Sequence, residues 1–84
     1  MDSKAGRCSL IVNGTAFADF SCVIELLDNA EPQGFGFLSG PVDQLKAAQI
    51  AKRAQVDFGH GEIVDIRILQ VSDSGIALIR ARGA

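Results

Sequence analysis

Eighty-four residues with a formal net charge of −2 leave room for one domain around one core. Hydrophobic residues make up 48% of the chain, and counting the nine glycines raises the apolar share to about 58%, against roughly 45–50% for an average domain. The charge argues against broad attraction to nucleic acid or an anionic membrane, and no apolar run approaches the roughly 18 residues of a spanning helix.

A chain this small buries only roughly 60–65% of its unfolded surface, so an apolar-rich composition points toward association, with a homodimer as the expected form. The start, Met1-Asp2-Ser3-Lys4-Ala5-Gly6-Arg7, lacks the apolar segment of a signal peptide, and two cysteines are too few for a disulfide framework. A cytoplasmic protein with reduced thiols is expected. Residues 1–6, small and polar, read as a flexible tail, and residues 7–84 as the single compact domain.

A strand over 7–12 leads into Asn13-Gly14, a strong signal for a type I′ hairpin turn. In that register Val12 faces Thr15 and Leu10 faces Phe17. Residues 15–27 keep no single alternation, because Phe17 belongs to one face while Phe20, Cys22, Ile24 and Leu26 belong to the other. A bulge near Asp19 reconciles them, as in the bent strands of small barrels. A helical stripe of Phe17, Phe20, Ile24 and Leu27 is the rival reading, and the tight turn with β-branched and aromatic residues favours strand. Cys8 would face Asp19 here, leaving Cys22 roughly 10 Å away, beyond disulfide reach.

Residues 28–34 form a loop containing Pro32, followed by a short strand over 35–38. Pro41 fits the first position of a helix over 42–54, with Asp43 in its first turn. Leu45, Ala47, Ala48, Ile50, Ala51 and Ala54 would line its buried side and Gln44, Lys46, Lys52 and Arg53 its wet side. Residues 55–58 are a further strand, turning at Gly59-His60-Gly61.

Residues 62–82 read as a long hairpin about Asp73-Ser74. Placing Ile68 against Ile79 and Arg67 against Arg80 gathers Val64, Ile66, Ile68, Ala77, Ile79 and Ala81 on a core face. A one-residue slip would bring Arg80 and Arg82 onto that face without partners, which is too costly. The second face carries Asp65, Arg67, Arg80 and Arg82 at its open end. Its tip carries Leu69, Val71, Ile76 and Leu78, an apolar group that something must cover. The fold expected is α+β and mainly antiparallel: about six strands in a small barrel-like or strongly bent sheet with one helix, in the order β-β-β-α-β-β-β.

Gln33-Gly34-Phe35-Gly36-Phe37-Leu38 resembles the aromatic strand of RNA-recognition-motif domains, which runs basic, Gly, aromatic, Gly, aromatic, aliphatic. The resemblance implies that Phe35 and Phe37 stack on splayed bases. It covers six residues, with Gln33 in place of the basic residue and Gly40 in place of the final aromatic. The segment before it is too short for that family's first helix. The reading that fits the residues better sends both rings into the core, with Gly34 and Gly36 leaving bare backbone for a close neighbour. Ser72-Asp73-Ser74-Gly75 is loosely similar to the Asp-x-Ser-x-x-Gly of PilZ barrels, but the spacing differs, no paired arginines precede it, and turn chemistry accounts for it.

No catalytic constellation is legible. His60 is a lone histidine between glycines, the carboxylates are scattered, and two cysteines with one histidine show no metal-binding spacing. Neither enzyme activity nor a cofactor is expected. The expectation is a small interaction module that self-associates through Leu69, Val71, Ile76 and Leu78. The alternative is a ligand- or single-stranded-RNA-binding domain that uses Phe35 and Phe37 or the Arg67, Arg80 and Arg82 face.

Overall fold

The computed structural model describes residues 2–27, 33–51, 53–59 and 61–82, and the side chains of Asp2, Leu26, Leu27, Gln33 and Arg82 lie outside that description. So do His60 and residues 28–32 of the expected loop. The elements are β1 (Asp2–Val12), β2 (Thr15–Leu27), β3 (Gln33–Ser39), α1 (Val42–Ile50), β4 (Ala54–Asp57), β5 (Ile63–Val71) and β6 (Ile76–Arg82). The strands close into an antiparallel barrel in the order β1-β2-β3-β6-β5-β4. The expected α+β barrel-like architecture and element order are therefore present. None of the described helices is long and apolar enough to cross a membrane.

Asn13 and Gly14 both take positive φ, 50° and 87°, as a type I′ turn requires. Val12 meets Thr15 and Leu10 meets Phe17. Pairing then resumes one residue out of step at Cys8 and Phe20, with Asp19 at φ 70° in the bulge. The extra residue in β2 brings both Phe17 and Phe20 to the interior, so residues 15–27 form a strand on both sides of the kink.

Of the tail expected over residues 1–6, the described residues 2–6 are corrected to strand. Asp2–Gly6 pair with Cys22–Leu26, and the Lys4 ammonium donates to the Glu62 carboxylate at 2.9 Å. Polar composition misled here because this half of β1 is held by backbone ladder bonds, which any residue but proline supplies. The other half of β1 turns to pair with β4, Leu10 against Val56, and closes the barrel.

The core holds Leu10, Phe20, Ile24, Leu38, Leu45, Val56 and Ile79, all essentially inaccessible. At β3 the interior face is Gly34, Gly36 and Leu38. Gly36 lies between Ile24 and Ile79. A Cβ there would run into the Val23 carbonyl and the Ile24 Cα, so β2 and β3 approach as only glycine allows. The expectation that Phe35 and Phe37 enter the core is overturned. The glycines face inward, strand alternation turns both rings outward, and side chains from β2 and β6 fill the interior.

The helix is shorter than expected, ending at Ile50, with Ala51 extended and its N–H bonded to the Ala47 carbonyl. It packs against β5 and buries only Leu45 and Ala48. Ala47 faces solvent, and Ile50 is 84% exposed. The chain must leave the helix early because Ala54 already pairs with Val12 and Ile66 as the first residue of β4.

In the last hairpin Ile68 meets Ile79, Arg67 meets Arg80 and Ile66 meets Ala81, so the one-residue slip is excluded. The turn is one residue longer than expected. Ser72 donates its N–H to the Ile76 carbonyl, and Gly75 takes φ 86°. That is a three-residue loop with glycine in the left-handed position. One extra residue on β5, the bulged Leu69, restores the register between Ile68 and Gln70. The Gln49 side-chain amide donates to the Leu69 carbonyl at 3.2 Å, giving the bulge a partner from the helix.

Candidate interaction face

Alternation fixes the outer surface. Where Cys22 and Ile24 point inward, Val23 and Glu25 point outward. Phe35 and Phe37 do the same on β3, and Ile76, Leu78 and Arg80 on β6. Register then sets these residues in rows across the strands. One row runs Ala5, Val23, Phe37, Leu78, Gln70, and the next runs Ser3, Glu25, Phe35, Arg80, Arg67. A third holds Arg7, Ser21, Ser39 and Ile76.

Phe35 and Phe37 are 51% and 57% exposed, and Val23 and Ile76 expose about as much. Phe37, Gln70, Ser72, Ile76 and Leu78 surround a shallow depression beside β3. The result is an apolar strip along β3 with Glu25 on one side and Arg80 on the other.

The residues expected at the hairpin tip do not all join this strip. Ile76 and Leu78 do, alongside Phe37. Leu69 is exposed but sits on the bulge next to the helix. Val71 is corrected: it pairs with Ala77 and packs against the core. The bulge at Leu69 reverses the alternation beyond it, so Gln70 faces out and Val71 faces in. Arg67 and Arg80 oppose each other on the outer face as expected, while Asp65 takes a 2.7 Å hydrogen bond from the Gln55 amide. Arg82 pairs with Asp65 and Gln33 in backbone register, and its side chain lies outside the described residues. Val23 and Glu25 were missed, although the spacing of Cys22 and Ile24 already placed them opposite the core.

The β2 bulge also changes the thiols. Cys8 pairs with Phe20, so Cys22 becomes its diagonal neighbour, and both side chains are buried and free. The separation of roughly 10 Å expected from an unbulged ladder is corrected. Hydrogen bonding from Cys22 draws the Cys8 thiol below its ordinary value, against burial and the Asp57 charge. Cys22 is pushed well up by the same hydrogen bond, by burial and by the charge Cys8 acquires.

Among the described residues no group of three or more His, Cys, Asp or Glu side chains is placed to hold a metal ion. Comparison with protein-family models, with curated proteins and with solved structures gives no match.

Proposed function

We propose that this barrel is a non-enzymatic interaction module that associates with a second copy of itself through the outer face of β2, β3 and β6. The observation that carries the reading is the half-exposure of Phe35 and Phe37 in an apolar strip with Val23, Leu78 and Ile76. Large contiguous apolar patches mark interaction surfaces on small soluble domains, and aromatic residues are enriched at their centres. A standard interface takes about 800 Å² from each partner. Against the whole surface of 5429 Å² that is roughly 15%. A cytoplasmic setting suits the two free thiols.

A second reading has support from the same rings. Phe35 lies beside Arg80, and Arg67 follows in the row, an arrangement that could stack and neutralise a single-stranded nucleic acid. Glu25 on the other flank and the net charge of −2 weigh against it.

Sedimentation velocity from low to high micromolar concentration tests the first reading. A concentration-dependent dimer supports it, and a monomer throughout removes it. An NMR titration of that monomer with single-stranded RNA, moving the Phe35 and Phe37 resonances, would put the stacking reading in its place.

A further inference from the structure

Across β3 the outer face is self-complementary. Val23 on β2 and Leu78 on β6 flank Phe37, while Glu25 on β2 and Arg80 on β6 flank Phe35. Consider two copies face to face, related by a two-fold axis in the interface and parallel to β3. Such an axis leaves each β3 residue over its own counterpart and exchanges the β2 and β6 sides. Phe35 then meets Phe35 and Phe37 meets Phe37, in offset ring contacts. Val23, 50% exposed, comes over Leu78 and the depression lined by Phe37, Gln70, Ser72 and Ile76. Glu25 comes opposite Arg80, twice in each dimer.

An axis perpendicular to β3 within the same plane, midway between the two rows, would instead set the Phe35 row against the Phe37 row. Charged and apolar residues would then meet, burying Glu25 and Arg80 against Val23 and Leu78. The arrangement along β3 avoids that cost. It also keeps the two arginines Arg67 and Arg80 away from their own copies, because Arg67 comes opposite Ser3.

We infer that the partner of this face is a second copy of the chain docked about a two-fold axis along β3, with Glu25 of each copy against Arg80 of the other. This rests on the self-association reading above and deepens it.

Charge reversal tests it. Glu25→Arg gives a chain with two arginines flanking Phe35, and Arg80→Glu gives one with two glutamates. Both positions are exposed, and the thermal unfolding midpoint of each variant is measured so that an effect on the fold is told apart from one on the interface. Each variant alone should dimerise about tenfold or more weakly, since two like-charge pairs now face each other. An equimolar mixture should form a heterodimer, because all four charges are then complementary across the interface. Mixing is followed by sedimentation with one variant fluorescently labelled. A wild-type chain that stays monomeric overturns the self-association reading itself. A wild-type dimer whose variants dimerise unchanged, or fail to pair selectively when mixed, overturns the axis and leaves self-association standing.

Discussion

The Gly40 N–H donates to the Gly75 carbonyl at 3.0 Å, joining the end of β3 to the β5–β6 turn. The two loops meet at glycine for steric reasons on both sides. A Cβ on Gly75 would come within 2.7 Å of the Gly40 carbonyl oxygen, and one on Gly40 would enter the Phe20 ring. Gly75 also holds φ 86°, which an L side chain adopts only with strain. Gly75→Ala should therefore cost about 2–3 kcal/mol, from the left-handed conformation and the lost approach together. Urea unfolding measures it; a loss below roughly 0.5 kcal/mol would mean the turn relaxes freely.

Gln44 offers a change in the opposite direction. Its Oε1 is shielded from solvent and has no hydrogen-bond partner. A buried acceptor without a donor costs roughly 1–3 kcal/mol, and methionine fills a similar volume without that penalty. Gln44→Met should stabilise the barrel by about 1 kcal/mol, read as an upward shift in the urea midpoint at unchanged slope. A lowered midpoint would mean that the amide nitrogen contributes more than the oxygen costs.

These positions show which parts of the structure the residues announced. The Asn13-Gly14 turn and the Phe17-to-Phe20 change of face together demanded a bulge, and Asp19 supplies it. The Arg67–Arg80 register followed from the cost of burying charge. The Leu69 bulge was not legible, because nothing in Ile68-Leu69-Gln70 distinguishes it from an unbroken alternation. It answers a turn one residue longer than the shortest one and a carbonyl that Gln49 can reach. The orientation of Phe35 and Phe37 was misread because hydrophobicity outweighed alternation. On β3 the inward positions belong to glycine, and large side chains from the neighbouring strands occupy the space.

Adjacent residues on β3 should separate stability from association. Leu38 is fully buried and Phe37 is 57% exposed. Leu38→Ala should cost about 2–5 kcal/mol through lost burial and the cavity left behind. Phe37→Thr keeps a β-favouring side chain and should change stability by less than about 1 kcal/mol. It should nonetheless weaken dimerisation by about tenfold or more, since a central aromatic is lost from each copy. Unfolding and sedimentation on both variants would check this, and a Phe37→Thr chain that dimerises as well as the wild type would place the interface elsewhere.

The thiol pair gives the protein a pH dependence of predictable sign. In the unfolded chain both cysteines lose their protons near pH roughly 8.5. In the folded barrel Cys8 loses its proton earlier, because Cys22 donates a hydrogen bond to it, and Cys22 keeps its proton far longer. Between the lowered Cys8 value and about pH 8.5 the unfolded chain binds more protons than the folded one, so stability rises with pH. Above about pH 8.5 the unfolded chain binds fewer, so stability falls. Cys22→Ala removes the donor to Cys8, so the rise in stability below about pH 8.5 should disappear while a fall above it remains, whatever uniform loss the smaller side chain brings. Without that donor, burial and the Asp57 charge should raise the Cys8 thiol and slow its alkylation near neutral pH. Cys8 is 7% exposed and borders an open groove with Arg7, Ser9, Asp57, Phe58 and Gly59. Urea midpoints from pH 7 to 9.5 and iodoacetamide rates at pH 7.5 test both halves. Identical slopes in the wild type and Cys22→Ala would show that the hydrogen bond between the thiols carries no weight.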